Sequence, residues 1–342
     1  MKEAILYEKL DDRYVRCHLC AHRCRIAPSQ FGICGVRENR SGTLYTLVHG
    51  ISIAESVDPI EKKPLFHVYP GSKSYSIATV GCNFQCEFCQ NHDISQISGR
   101  EGKVIGHSSM PEEIMERALK TGSKTIAYTY TEPTIFLEYA LEIGRMAHKK
   151  DIKNIFVTNG FMTGEALKVL APFLDAANVD LKSFRSEFYE KYCGGRLQPV
   201  LDSLRRMKDL GIWIEVTTLI IPTLNDGKEE LRDIARYIHS LGPETPWHIS
   251  RFHPQYRMQN LPPTPLETIH MASKIGKEAG LKYVYTGNIP GDEGENTYCS
   301  NCGRLLIKRY GFNVEDIDLR GSKCPACKTP LDGIYNSDRD NI

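Results

Sequence analysis

Between residues 75 and 287 the chain alternates two hydrophobic patterns. Short apolar runs rich in β-branched and aromatic residues read as strands: YSIATVG (75–81), KTIAYTY (124–130), KNIFVTN (153–159), ANVDLK (177–182), IWIEVTTLI (212–220), WHISRF (247–252) and LKYVYT (281–286). The stretches between them have helical periodicity and helical start and stop signals. SSMPEEIMERALK places Ser before Pro-Glu-Glu, with acids in the first turn, and TPLETIHMASKIGKEAG begins at Thr-Pro and ends at Gly280. Strand and helix alternating in this way predict βα units on a parallel sheet. The fold class expected is α/β, a partial (β/α)6 TIM-like barrel over residues 71–290. No shorter internal repeat is visible.

In such folds chemistry gathers where the strands end. The first run leads into a cysteine-rich loop. The second ends in TYTEPT with Glu132, the third in Thr158-Asn159-Gly160 and the fourth in Asp180-Leu181-Lys182. The fifth carries Glu215, Thr217 and Thr218, and the sixth His248, Arg251 and His253. Any one of these is an ordinary polar cap. Six sets together predict a site at one end of the barrel.

Composition narrows the setting. Lysine and arginine number 43 against 42 acids in 342 residues, a net charge of +1, so no overall field attracts nucleic acid or an anionic membrane. No run of apolar residues is long enough to span a bilayer. The start, MKEAILYEKLDDRYVRC, carries acids early and lacks an apolar core, which is not how a signal peptide reads. A cytoplasmic protein is expected.

Twelve cysteines therefore need another explanation than disulfides, which are rare in that compartment. They fall into three groups: Cys17, Cys20, Cys24 and Cys34; Cys82, Cys86 and Cys89; and Cys299, Cys302, Cys324 and Cys327. Gaps of two and three residues suit metal ligation. Cys193 stands apart and reads as a buried thiol without a role, its alternative being a place near the chemistry.

The middle group, in GCNFQCEFCQN, has the spacing C-x3-C-x2-C. Thiolates this close on one loop can grip a corner of an iron–sulfur cube. Structural zinc would want a fourth protein ligand, which His92 could supply, and an ordinary electron-carrying cluster would want a fourth cysteine. The remaining reading leaves one iron open for a substrate or cofactor.

That loop, with Phe88 as the aromatic residue before its last cysteine, resembles the hallmark of the radical S-adenosylmethionine (SAM) enzymes. The resemblance implies a 4Fe–4S cluster on Cys82, Cys86 and Cys89, whose open iron binds the amino and carboxylate groups of SAM. It implies reductive cleavage of SAM to a 5′-deoxyadenosyl radical, which takes hydrogen from a substrate, and hence a low-potential electron donor. Glu132 lies where this superfamily places a glycine-rich motif ending in Glu, although YTEP replaces the glycines here. By resemblance to the glycyl-radical-enzyme activases, Asn159, Gly160, Asp180 and Lys182 line the SAM site, with Lys182 opposite its carboxylate.

The C-terminal group is expected to be structural. YCSNCG and KCPACKTP look like the paired knuckles of a zinc ribbon or rubredoxin, with zinc favoured over iron, in a C-terminal module over residues 291–342. RLLIKRYGF within it is mildly basic, too weak a signal for nucleic-acid binding. CHLCAHRC with Cys34, in an N-terminal module over residues 1–70, fits zinc or an auxiliary iron–sulfur cluster equally well. His18 and His22 read as solvated histidines beside it.

CHLCAHRCRIAPSQFGICGVREN, DPIEKKPLFHVYPGS and YTGNIPG…NTYCSNCG run in the same order as in the radical SAM proteins of the AmmeMemoRadiSam system, a likeness covering nearly the whole chain. These resemble pyruvate formate-lyase activases with added cysteine modules. The likeness implies MEMO-like and AMMECR-like partner proteins, and an activase that takes hydrogen from a partner's backbone. Radical modification of a small molecule or RNA is the alternative chemistry. A non-enzymatic scaffold stapled by metals is the alternative of another class.

Overall fold

The computed structural model describes residues 1–96 and 104–335. At its centre is an eight-stranded sheet. One edge strand, β1 (Ala54–Pro59), runs antiparallel to β2 (Lys73–Ala78). Beyond β2 lie β3 (Thr125–Tyr128), β4 (Lys153–Thr158), β5 (Ala176–Asp180), β6 (Trp213–Ile220), β7 (Trp247–Arg251) and β8 (Val284–Gly287), all parallel and in chain order. Among the described residues the longer crossover helices are α1 (Pro111–Lys120), α2 (Leu137–His148), α3 (Gly164–Leu170), α4 (Leu197–Asp209), α5 (Lys228–Leu241) and α6 (Leu266–Glu278). The expected partial barrel is therefore present, as six βα units closed by a seventh parallel strand. β1 and β8 lie at opposite edges of the sheet, which is open between them.

Local chemistry explains the elements. All four residues of β3 are buried, as is most of β5 and β6, because helices cover one face and the barrel interior the other. α1 starts at Pro111, and Glu113 Oε2 accepts from Met110 N at 2.8 Å, satisfying a donor the first turn leaves over. At the start of α3, Thr163 Oγ1 accepts from Ala166 N at 3.1 Å.

Modules flank the barrel at both ends of the chain. Before β1, two small antiparallel sheets join Lys2–Glu3, Thr43–Thr46 and Arg37–Arg40, and Tyr7–Lys9, Val15–Cys17 and Arg25–Ile26. β1 itself lies within residues 1–70 but pairs in the barrel sheet, an edge strand the sequence pattern does not reveal. After β8, Thr297–Tyr298, β9 (Leu305–Tyr310) and β10 (Asn313–Ile317) form an antiparallel ribbon. Leu306 and Ile307 of the ribbon, with Leu331 beyond it, pack with Phe66, Tyr283 and Tyr285 of the barrel side.

That contact corrects part of the sequence reading. Glu215 and His248 are not at the site end. Both lie near the beginnings of β6 and β7, at the opposite end of the barrel. Buried Glu215 accepts from Phe66 N (3.0 Å), His67 N (2.9 Å), Trp213 Nε1 (3.1 Å) and His248 Nε2 (2.6 Å). These two residues anchor the segment before β2 and, through it, the C-terminal ribbon. Counting polar residues along an eight-residue strand does not say which end each occupies.

His67 beside them donates from Nδ1 to the Asp332 carbonyl (2.6 Å), and its Nε2 lies 2.7 Å from the Tyr285 hydroxyl. Burial pushes its pKa from 6.5 down to about 4, against the attraction of Glu215. Below pH 6.5 the unfolded chain takes up a proton that the folded chain refuses. Stability is therefore expected to fall between pH 6.5 and 4, by about 3 kcal/mol from this group. Unfolding by denaturant across that range should show the slope in the parent and a flatter one in His67→Phe. Equal slopes would assign it to another group.

Candidate functional site

Gly81, at φ +98°, turns the chain off the end of β2 into the three-cysteine loop, a conformation that side-chain-bearing residues rarely adopt. Phe84 and Phe88 are buried and pin the loop from beneath, Phe84 against Phe161 (5.0 Å between centroids) and Phe88 against Phe188 (5.8 Å). The backbone of the loop is stitched to the segment after β5: Gln85 N donates to Cys193 O (2.8 Å) and Glu87 N to Tyr192 O (3.0 Å). Gly195 permits that approach, since a Cβ there would stand 2.3 Å from the Phe84 ring. On the outer side Arg257 N donates to Glu87 O (3.0 Å), and Tyr256 stacks on His92 (4.4 Å).

Within this frame Cys82 Sγ accepts from Phe84 N at 3.4 Å, and Cys89 Sγ meets Ser95 Oγ at 3.2 Å. Burial pushes the Cys82 and Cys89 thiols up, so a bound cationic group is needed to hold them as thiolates. The structure brings Asp180 and Lys182 to the same place. Lys182 Nζ pairs with Asp180 Oδ2 at 2.9 Å and stands 5.6 Å from the Phe88 ring centre. Burial works against this ammonium, but Asp180 and the thiols of Cys86 and Cys193 outweigh it and its pKa is raised. Cys193 is fully buried, as expected, but it is a neighbour of Cys86 rather than a remote thiol. Its position followed from the fold of residues 186–197 and not from its spacing.

Glu132 and Asn159 also converge here. The carboxylate of Glu132 is buried and already occupied: Oε1 accepts from Thr134 N (3.1 Å), Thr134 Oγ1 (2.5 Å) and Thr158 Oγ1 (2.7 Å), and Oε2 from Asn159 N (2.8 Å). Burial nevertheless raises its pKa. Asn159 Nδ2 donates to Asn83 Oδ1 (2.7 Å), which lies 3.8 Å from Cys82 Sγ. Gly160, at φ +70°, lies so close to Val179 that a Cβ would stand 2.8 Å from that side chain. The ends of β2, β3 and β4 are thus one hydrogen-bonded unit, joined through Glu132, Asn159 and Asn83. Asn83 was invisible to sequence reasoning because nothing marks it out inside the cysteine motif.

The outer groups differ from each other. The ligand atoms of Cys299, Cys302, Cys324 and Cys327 all lie within 4.8 Å of one another, with Cys299–Cys327 at 3.5 Å and Cys302–Cys324 at 3.7 Å. They can hold a metal ion. Cys17, Cys20, Cys24 and Cys34 pack into the main core, and Cys17 N donates to Cys24 O at 3.0 Å. His22 is not a solvated histidine. It is half-buried, its Nε2 bonds Asn83 O at 2.8 Å, and its ring packs on Phe161 at 4.8 Å. Arg196 Nη2 donates to Ala21 O (2.7 Å), and Ala21 N to Phe161 O (3.1 Å). The N-terminal cysteine module is therefore docked on the three-cysteine loop. A histidine between two ligand-spaced cysteines was the available signal.

Comparison with known proteins agrees with this geometry. The family described as the radical SAM superfamily matches residues 76–238. An uncharacterised protein of Methanocaldococcus jannaschii is 47% identical over 335 residues, spanning 97% of this chain and 99% of that protein. A pyruvate formate-lyase-activating enzyme of Clostridium pasteurianum is 22% identical over 167 residues, 47% of this chain and 67% of that enzyme. Among solved structures, a radical SAM methyltransferase from Sphaerobacter thermophilus shares the fold with a TM-score of 0.51 at 16% identity, over 69% of this chain and 71% of that one.

Proposed function

The chain belongs to the radical SAM superfamily, and from that premise we propose that Cys82, Cys86 and Cys89 hold a 4Fe–4S cluster whose open iron takes SAM. One observation carries the reading. Three thiols on the loop after β2 meet Glu132, Asn159 and the Asp180–Lys182 pair, contributed by the ends of β3, β4 and β5. When bound, the cluster and SAM supply one-electron cleavage of the sulfur–C5′ bond, giving methionine and a 5′-deoxyadenosyl radical that abstracts hydrogen.

The chain's own residues do the rest. Lys182, held by Asp180, offers a half-buried cation to the carboxylate of SAM. Glu132 is a positioning residue: its oxygens fix the turn at Thr134 and the amide of Asn159, leaving backbone carbonyls near the end of β3 as acceptors for the ammonium of SAM. Phe88 packs beneath Lys182, and Gly160 lets the chain turn close beside the site. The C-terminal four cysteines hold zinc as a structural staple.

The substrate we infer is a partner protein from which a backbone hydrogen is taken, as the likeness to activating enzymes suggests, with MEMO-like and AMMECR-like proteins as the partners and a low-potential carrier as electron donor, in the cytoplasm. A sheet open between β1 and β8 supports access by a large substrate. Among the described residues no helix is long and apolar enough to cross a membrane. The test is anaerobic reduction of reconstituted protein with dithionite in the presence of SAM, scoring 5′-deoxyadenosine by mass spectrometry with and without each partner. No product from protein carrying a full complement of iron would sink the reading.

Cys193 bears on the same cluster. Cys193→Ala is expected to retain the iron of the parent and to cost about 1–2 kcal/mol through the lost buried sulfur. Iron analysis and denaturant unfolding check this. Loss of a substantial share of the iron would make Cys193 a ligand instead of a neighbour.

A further inference from the structure

Two of the three cysteine groups supply four thiols each. Four thiolates around one zinc, at about 2.3 Å from it, lie about 3.8 Å from each other. The C-terminal group matches, at 3.5 and 3.7 Å for two pairs and within 4.8 Å overall. The N-terminal four are gathered as well. Cys17 and Cys24 are joined by a backbone hydrogen bond of 3.0 Å, Cys17 and Cys34 are buried, and all four pack into one core. Four thiols so gathered can hold a core of several irons bridged by sulfide, and what surrounds them favours it.

A buried cation faces the group. Arg37, three residues after Cys34, is 1% exposed and lies within electrostatic reach of Cys17, Cys24 and Cys34. Its guanidinium nitrogens Nη1 and Nη2 are taken by Glu138 and Ile5 O, while its Nε is buried without a hydrogen-bond partner. A spare buried N–H beside thiolates is a donor in search of an acceptor, which cluster sulfur provides. The module also touches the middle group by a short route. His22, between Cys20 and Cys24, bonds the carbonyl of Asn83, the residue after Cys82, at 2.8 Å.

We propose that Cys17, Cys20, Cys24 and Cys34 hold a second, fully ligated iron–sulfur cluster that passes single electrons to the site at Cys82, Cys86 and Cys89. The relay rests on the function proposed above, whereas the second cluster does not. One electron enters from a low-potential one-electron carrier protein, reduces the N-terminal cluster, and leaves it again across the His22–Asn83 contact. No bond is made or broken in the transfer.

The experiment uses the full chain carrying Cys82→Ala, Cys86→Ala and Cys89→Ala, isolated and reconstituted without oxygen. It is expected to hold about four iron and about four sulfide per chain, with about one zinc. Its reduced cluster should give an electron paramagnetic resonance signal that SAM does not alter. Two zinc with neither iron nor sulfide would overturn the proposal. The unmutated chain gives an independent reading should that variant fail to fold. Reduced clusters this close should broaden one another's signals, and a spectrum with a single non-interacting cluster would count against the assignment. Iron and sulfide at the N-terminal four in a chain that never cleaves SAM would uphold the second cluster while removing the proposed function.

Discussion

Replacing Cys82, Cys86 and Cys89 together by alanine is expected to reduce 5′-deoxyadenosine formation to the background of SAM in buffer, with the chain still folded. The three sulfurs are not what holds the loop in place. Phe84 and Phe88 pack beneath it, residues 192 and 193 stitch its backbone, and Asn83 ties it to Asn159. All of these survive the substitution. The cluster, by contrast, has no other anchor on this loop, so the effect should be total loss instead of a graded one. Product analysis by mass spectrometry gives the activity, and circular dichroism with zinc analysis reports the fold. If the variant unfolds while the parent neither binds nor cleaves SAM, the cysteines serve structure and the scaffold reading takes over.

The largest effect on stability is expected at Glu138. Its carboxylate receives Arg37 Nη2 (2.9 Å) and Nη1 (3.1 Å), and also accepts from Ile5 N at 2.8 Å. Both side chains of the pair are about 2% exposed, and the pair joins the N-terminal module to α2. Glu138→Ala strands a guanidinium in the interior and leaves an amide without its acceptor. The cost expected is about 3–5 kcal/mol, read as a lowered denaturant midpoint. Arg37→Met combined with Glu138→Met should recover much of that loss, because the penalty comes from the unpaired charge and not from the absent pair. A single-variant cost below about 1 kcal/mol would mean that water reaches Arg37.

Much of the barrel was legible because its rules are local. Each apolar run from YSIATVG to LKYVYT is short, β-rich and bounded by helical periodicity, and each became a parallel strand. The antiparallel edge β1 was not legible. Its stretch, AESVDP, is half-exposed and polar, and only pairing with β2 makes it a strand. The same limit explains Glu215 and His248. Their residue types suited a catalytic end, but strand register placed them where the C-terminal ribbon docks.

The sequence by itself marked the residues spaced for metal ligation, because ligand spacing along a loop is a covalent property that folding cannot change. It also determined the layered α/β fold, since periodicity is repeated in every unit. Only the tertiary structure decided what those residues meet. It gave the oxygens of Glu132 to Thr158 and Asn159, set Cys193 beside Cys86, and pressed His22 onto the carbonyl of Asn83. These partners are separated by 26 to 107 residues along the chain. Contacts at that range follow from how elements stack and which surfaces are left to bury, and no local pattern encodes them.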